Sequence, residues 1–289
     1  MSRLAVPKTY KLAIGGAFPR SESGRTYEIR DASGAFLANA AKASRKDARD
    51  AVVAARGAVK GWSGATAYNR GQVLYRIAEL LEGRRAQFAD ELVAVEGLAE
   101  RRAAAVVDAA IDRWVWFAGW ADKVAQVLGN GNPVAGPYFN LSVPEPTGVV
   151  AVVAPQTGEG HSLTGLIGAV AAPLVTGNTV VVVASEAAPL SAITLAEVLA
   201  TSDVPPGVVN VLTGSPAEIA PWLATHADVN ALDLVGAGAL DWVGLQVDAA
   251  ETLKRVLAPE DGDGAPLPTL ERISAFVETK TVWHTKGLL

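Results

Sequence analysis

The chain has 289 residues, of which 50% are hydrophobic and 19% are charged, a composition typical of a globular protein rather than a disordered one. Its formal net charge of −5 argues against nucleic acid as a partner, because binding nucleic acid requires a cationic face. None of its residues is cysteine, so a thiolate, the strongest nucleophile readily available near neutral pH, is excluded.

Helical patterns dominate residues 1–136, which we predict to form an N-terminal strand and helical part. Residues 10–20 favour a short strand and a turn. Ser44 and Asp47 have the spacing of a capping box, and apolar residues then recur at helical intervals. Four helices are predicted in this part. The first begins at Ser44 and the second begins near Asn69, and the third and fourth cover residues 85–96 and 99–128.

A different pattern begins after this helical part. Residues 137–147 predict an exposed strand, and residues 148–257 then alternate continuous apolar runs with helices. Such alternation predicts a parallel sheet covered on both faces, which is a Rossmann-type, doubly wound α/β fold. Its ligand crevice should lie at the carboxyl ends of the strands. The predicted strands are Val149–Val153, Thr179–Val183, Val208–Leu212 and Ala231–Val235, and the predicted helices are Ser162–Val175, Ser191–Ser202, Pro216–Thr225 and Leu240–Val247.

The stretch from residue 160 to residue 185 contains no Asp, Glu, Lys or Arg and could be mistaken for a membrane span. Pro173 and Gly177 interrupt it, so a buried helix, a turn and a buried strand are favoured. The first residues also lack a hydrophobic core of signal-peptide length. We therefore expect a cytoplasmic protein with no membrane partner.

Residues 258–270 predict a linker, because prolines, glycines and acidic residues dominate them. Its acidic residues lack the twelve-residue pattern of a calcium loop, so a solvated chain is favoured over a metal site. Residues 271–289 follow the linker, and within them Ala275–Trp283 predicts an isolated final strand.

Other catalytic motifs are incomplete. The segment from Gly160 to Thr164 is similar to the nucleophile elbow of hydrolases, but the elbow needs a small residue where Thr164 stands. Ser162 is more simply explained as a helix cap. The residues 158–160 could imitate a phosphate loop at a helix start, although Glu159 would repel the anion. The three histidines lack metal-ligand spacing.

Five parts of the chain resemble the aldehyde dehydrogenase family, in the order in which the family has them. The similarity from Tyr10 to Val256 is to the cofactor domain, and Ala275–Trp283 is similar to the C-terminal strand of the family. The similar segments are YKLAIGGAFPRSESGRTYE, then AVVAARGAVKGW with NRGQVLYRIAELLEGRRAQFADELVAVEG, then PEPTGVVAVVAP, then VTGNTVVVVASEAAPLSAITLAEVL with PPGVVNVLTG, and finally AFVETKTVW.

The resemblance implies NAD(P)-dependent aldehyde oxidation by a cysteine thiolate, and this chain has no cysteine. The family has a catalytic domain between its cofactor domain and its C-terminal strand, and here residues 258–270 stand in that place. The general-base glutamate of the family motif Glu-Leu-Gly-Gly also has no counterpart in register. We therefore expect a pseudoenzyme that is not catalytic alone.

The resemblance also implies a cofactor site whose residues have diverged. Thr157 stands where the family has an oxyanion-binding asparagine, Val183 where it has a ribose-binding lysine, and Ala237 where it has a pyrophosphate-binding serine. Hydrogen bonds to charged groups contribute about 1–3 kcal/mol each, so we expect weak NAD(P) binding or none. The degenerate site comprises Pro155, Gln156, Thr157, Ser185, Glu186, Gly214, Gly236 and Ala237.

In the family, the excursion before the first Rossmann strand and the C-terminal strand form an oligomerisation arm that adds to a neighbouring subunit's catalytic domain. Both segments have counterparts here, Tyr138–Glu145 and Ala275–Trp283, but a copy of this chain has no catalytic domain to receive them. The implied partner is a full-length aldehyde dehydrogenase paralogue, joined by strand addition through these segments. Two alternatives stay open: an NAD(P)-binding subunit that contributes to aldehyde oxidoreductase activity in a complex, and a free-standing nucleotide-binding sensor.

Overall fold

The computed structural model of the chain describes residues 6–156, 158–259 and 267–287. These residues form the predicted α/β fold, with a five-stranded parallel sheet and two three-stranded sheets. The strands are β1 (Thr9–Tyr10), β2 (Thr26–Arg30), β3 (Phe36–Ala41), β4 (Asn130–Asn132), β5 (Tyr138–Pro146), β6 (Val149–Val153), β7 (Thr179–Val183), β8 (Val209–Leu212), β9 (Ala231–Asp233), β10 (Arg255–Leu257) and β11 (Val277–Thr285). The helices are α1 (Arg45–Gly64), α2 (Ala67–Gly83), α3 (Arg85–Glu96), α4 (Glu100–Trp120), α5 (Val124–Leu128), α6 (His161–Val175), α7 (Leu190–Leu199), α8 (Pro216–Thr225), α9 (Trp242–Ala250) and α10 (Leu270–Ser274).

The parallel sheet has the strand order β10-β9-β6-β7-β8. Every residue of β6 and β7 is buried, as valine-rich strands covered on both faces should be. Alternate residues of these strands belong to two hydrophobic clusters, one on each side of the sheet. The four predicted strands are confirmed to within two residues at their ends, but β10 was missed, because a three-residue, partly exposed strand leaves little pattern.

The N-terminal half confirms the predicted capping box. Ser44 Oγ accepts from the backbone N–H groups of Lys46 and Asp47, and the backbone N–H of Ser44 donates to Asp47 Oδ2 at 2.8 Å. The second helix begins at Ala67, near Asn69 as predicted, and Thr66 caps it. The long predicted helix is two helices, since α4 ends at Trp120 and the short α5 follows.

The strands β2 and β3 were not predicted from the sequence. They pair antiparallel, and β3 also pairs with β1. The β3 sequence, FLANAA, is rich in alanine and asparagine, which are depleted in strands. Its pairing partners, and not its own propensity, therefore determine its conformation.

The C-terminal strand was expected to be isolated, and that expectation is wrong. β11 pairs antiparallel with β5 from Val277 to Thr285, and β4 pairs with the other edge of β5. Residues 270–274, predicted as part of a linker and a strand, form α10, because Thr269 caps a helical turn. The two segments of the predicted arm therefore lie in one sheet, which we name the arm and define as β4, β5 and β11.

Phe276 anchors β11 to the parallel-sheet domain. Its side chain is 1% exposed, and its carbonyl accepts from Asn178 Nδ2 at 2.8 Å and from the backbone N–H of Thr147 at 3.2 Å. Nearby, the buried side chains of Arg272 and Asp233 form an ion pair between α10 and β9. The arm is thus attached to the core through buried contacts at one end.

Residues 160–185 form α6, a turn and β7, as predicted, and α6 is buried along nearly its whole length. Among the described residues, no helix combines the length and the apolar content that crossing a bilayer needs.

Candidate functional site

The candidate site is the crevice at the carboxyl ends of the parallel strands. Pro155 and Gln156 follow β6, Ser185 and Glu186 follow β7, Gly214 follows β8, and Gly236 and Ala237 follow β9. The fold therefore brings seven of the eight predicted residues to one edge of the sheet, where ligands of doubly wound folds bind. Thr157 lies outside the described residues.

Gln156 joins the ends of β6 and β7 across this crevice. Its Nε2 donates to the carbonyl of Ala154 at 2.7 Å, and its Oε1 accepts from the backbone N–H of Glu186 at 3.0 Å. Ser185 Oγ donates to the carbonyl of Gln156 and accepts from the backbone N–H of Ala188. The side-chain amide of Gln156 and the hydroxyl of Ser185 are therefore satisfied by the chain itself.

At the start of α6, the helix that follows β6, a carboxylate of the chain occupies the place where an anion would bind. Glu96, at the end of α3, accepts from the backbone N–H of Gly160 at 2.7 Å and from Ser162 Oγ. Ser162 lies inside the first turn and Gly160 is the N-cap, so the prediction of Ser162 as a helix cap is wrong. The positive end of this helix dipole is already paired with a carboxylate.

The helix that follows β9 is also capped by a carboxylate. Asp241 Oδ1 accepts from the backbone N–H of Gly244 at 3.0 Å. Ala237 is buried, and its backbone N–H donates to the carbonyl of Leu234 at 2.8 Å. At the end of β7, Val183 is fully buried in the core, so its side chain cannot serve as a cationic contact.

Gly236 supports the crevice structurally. A Cβ at this position would lie 1.9 Å from the carbonyl oxygen of Ala154, so only glycine permits this approach of the two backbones. Its N–H donates to the carbonyl of Val153 at 2.8 Å. The glycine thus holds the loop after β9 against the end of β6.

Glu186 lies near the phenol of Tyr27 at the β7 side of the crevice. Burial, and then the negative charge of Glu186, raises the pKa of Tyr27 above its usual value. Tyr27 therefore stays a neutral phenol at physiological pH, and sequence reasoning missed it because it lies on β2, far from the strand ends in sequence.

These residues do not fit the pyrophosphate of NAD(P). Carboxylates of Glu96 and Asp241 occupy the helix starts where a phosphate would bind, and they would repel it. A groove of about 540 Å³ between α8 and α9 has apolar walls that include Pro221 and Leu245, and Asp248 also lines it. That groove could admit a flat ring, but the residues described at the strand ends place carboxylates, and not cations, at the two helix starts.

The arm is the second candidate surface. Phe139, Leu141 and Val143 project from one face of β5, at 57%, 43% and 38% exposed, and Val282 of β11 lies opposite Leu141. The β11 partners of Phe139 and Val143 on this face are His284 and Lys280, so polar side chains flank the apolar ones. Exposed apolar side chains grouped in this way are typical of an interaction site. The outer edge of β11 is the edge of its sheet, and no other strand among the described residues pairs with it.

The other face of the arm is polar and aromatic. Asn132 Nδ2 donates to Asn140 Oδ1 and to Ser142 Oγ, at 2.5 and 2.8 Å. The rings of Tyr138 and Trp283 pack edge to face with their centroids 5.8 Å apart. These contacts fix the register of the three strands without using the apolar face.

The family model and the similar proteins of known function both point to one protein family. Residues 18–263 match the aldehyde dehydrogenase family. The cytosolic 10-formyltetrahydrofolate dehydrogenase of Mus musculus is 34% identical over 251 residues, which are 82% of this chain and 26% of that protein. The NADP(+)-dependent D-glyceraldehyde dehydrogenase of Thermoplasma acidophilum is 30% identical over 258 residues, 89% of this chain and 51% of that protein.

Solved structures, an aldehyde dehydrogenase among them, are also similar to this chain. PnpE from Pseudomonas sp. WBC-3 superimposes with a TM-score of 0.80 at 27% identity, covering 87% of this chain and 50% of that one. An NAD+ complex of aldehyde dehydrogenase from Bacillus cereus superimposes with a TM-score of 0.78 at 27% identity, covering 86% of this chain and 50% of that one. The chain therefore spans between a quarter and a half of the length of these relatives.

Proposed function

The chain belongs to the aldehyde dehydrogenase family, and we propose that it is a non-catalytic subunit that scaffolds or regulates a full-length aldehyde dehydrogenase partner. The observation that carries the proposal is the absence of cysteine from all 289 residues, since the family resemblance implies a thiolate nucleophile. The crevice supports it, because Val183 and Ala237 provide neither the cationic side chain nor the hydroxyl that the family resemblance implies there.

The arm is the proposed contact with the partner. Its apolar face and its open β11 edge suit addition to a sheet of another protein, in which main-chain hydrogen bonds supply affinity and side chains supply specificity. An exposed edge with this composition is an aggregation risk for a lone protein unless it is covered. A partner that covers it therefore explains why the edge can be kept.

Co-expression with a full-length aldehyde dehydrogenase of the same genome tests the proposal. A tagged form of this chain should retain the paralogue on an affinity column, and the isolated chain should produce no aldehyde-dependent NADH. Elution of this chain as a lone monomer in the presence of the paralogue, or NADH production by the isolated chain, would overturn it. A cytoplasmic complex is proposed too, in line with the cytosolic relative in mouse.

A second candidate, a subunit that still binds NAD(P), is supported by the apolar groove between α8 and α9. Calorimetric titration with NAD+ separates the two candidates. Val183 and Ala237 stand where the resemblance implies a lysine and a serine hydroxyl. The affinity of this chain for NAD+ should therefore be about two to four decades weaker than that of a family member that has both groups. The first candidate therefore predicts binding no tighter than the millimolar range, and micromolar binding would favour the second.

A further inference from the structure

A groove between the start of α1 and the end of α8 lies outside the crevice and the arm. It encloses about 550 Å³, and the side chains that matter for its chemistry are Glu22, Arg45, Lys46, Arg49 and Trp222. We name it the Arg45 groove. A cavity of this size is sufficient for a few side chains of a bound peptide.

Arg45 lies stacked on Trp222. The central guanidinium carbon is 3.7 Å from the centroid of the indole ring, and Trp222 is 41% exposed. Stacking uses the face of the guanidinium and leaves its N–H donors free at the edge. Within the part of the chain that the structure describes, Arg45 forms no hydrogen bond or ion pair through those donors. The stack therefore holds the planar guanidinium group in an orientation from which it can donate two parallel hydrogen bonds to one anion.

The charge of the groove is positive although the chain as a whole carries −5. Lys46 pairs with Glu22 at 3.4 Å and Arg49 pairs with Asp50 at 2.7 Å, while Arg45 has no acidic partner among the described residues. Exposed ion pairs of this kind contribute little to stability, so both cations can turn towards an incoming carboxylate. The groove is thus complementary to a negatively charged occupant.

The occupant must also cover an exposed tryptophan. Tryptophan and arginine are the residue types most enriched among the energetically dominant positions of protein interfaces. A free inorganic anion would pair with Arg45 but would leave the indole of Trp222 in water. A peptide can place a carboxylate on the guanidinium and an apolar side chain against the ring.

We propose that the Arg45 groove binds an acidic, partly apolar segment of a partner protein. In this arrangement a carboxylate accepts two hydrogen bonds from Arg45, and Lys46 and Arg49 supply further positive charge. The proposal does not depend on the arm or on the identity of its partner, because the groove lies on different elements of the fold.

Fluorescence anisotropy with a short fluorescein-labelled peptide of alternating glutamate and leucine tests this proposal on the full chain. The peptide should bind saturably, and added salt should weaken the binding. Arg45→Gln and Trp222→Ala should each weaken it by roughly tenfold or more. Arg30→Gln is the matched control, since Arg30 is an exposed arginine paired with Glu28 on β2, and it should leave the affinity unchanged.

Circular dichroism would confirm that the variants are folded. A peptide with glutamine in place of glutamate should bind at least about tenfold more weakly, because it offers no charge to Arg45. The proposal is overturned by an absence of saturable binding, by equal reductions of affinity in Arg30→Gln and Arg45→Gln, or by inorganic phosphate that displaces the peptide at equal concentration.

Discussion

At the crevice the chain satisfies its own polar groups, whereas in the arm it leaves apolar groups exposed. Gln156, Glu96 and Asp241 occupy the N–H and C=O groups that a ligand would meet at the strand ends. Leu141 and Phe139 of the arm are 43% and 57% exposed, and Lys286 Nζ lies 4.8 Å from the centroid of the Phe139 ring. The strand-end crevice thus uses its polar groups in contacts within the chain, and we propose that the arm, a sheet that has no cleft, carries the capacity for interaction.

The two regions nevertheless share one folding unit, because Phe276 joins the arm to the core. Phe276→Ala should lower the free energy of unfolding by about 3–5 kcal/mol, as expected for truncation of a buried phenylalanine. Phe36→Ala, at a side chain that is 49% exposed, is the control and should change stability by less than about 0.5 kcal/mol. Urea denaturation measures both, and equal effects would show that the arm is not anchored as described.

The arm should determine partner binding. Leu141→Glu places a charge on its apolar face and should weaken binding to the full-length paralogue by about a hundredfold, or about 2.7 kcal/mol. Thr279→Glu is the control, since its partner in the ladder is Pro144 and it lies on the opposite face. Surface plasmon resonance measures both affinities. Similar reductions in the two variants would contradict a role for the apolar face.

Substitutions in the crevice should change the stability of the chain rather than its ligand binding. Gly236→Ala forces a Cβ against the Ala154 carbonyl and should cost about 1–3 kcal/mol, as overpacking of a tight contact does. Gly238→Ala is the matched control, because nothing lies within 4 Å of its added Cβ. Thermal unfolding should separate the two variants clearly, and indistinguishable stabilities would show that the close approach is not required.

A smaller, pH-dependent effect is expected at Glu91, a buried carboxyl between α3 and α7 that accepts from Thr194 Oγ1 at 2.6 Å. Burial raises the pKa of Glu91. The folded state therefore binds the proton more tightly than the unfolded state, so stability from this group is present below the unfolded pKa and is lost as pH rises through the folded pKa.

Glu91→Gln should abolish this pH dependence. The stability of the variant relative to wild type should rise by up to about 1.4 kcal/mol per pH unit between the ordinary and the raised pKa of glutamate, and should be level outside that interval. Denaturation curves at a series of pH values measure the slope. A difference that stays constant with pH would show that the pKa of Glu91 is not raised.

Much of the fold could be predicted from sequence because its main elements carry strong local patterns. The helix Arg85–Glu96 and the strand Thr179–Val183 were predicted at the residues where the structure has them. By contrast, β3 depends on pairing with β1 and β2, and β10 is only three residues long. Their conformation follows from tertiary contacts that a sequence window does not contain.

Of the candidate site, too, one part could be predicted from the sequence and another part could not. Parallel strands place Gln156, Glu186 and Gly236 at one edge, so their proximity follows from the alternating pattern. The contacts that close the crevice join distant residues, as when Glu96 pairs with the start of α6. The stacking of Arg45 on Trp222 also joins distant positions. Such pairs leave no mark on local sequence, so only the folded structure reveals them.

The most direct test of the central claim, that this chain acts through its arm and not through its crevice, is the mass of the particle formed on co-expression with the full-length paralogue. Light scattering coupled to size exclusion should show one species that contains the paralogue and whole 29.9 kDa copies of this chain. Two separate peaks, each with the mass of one protein alone, would contradict the account.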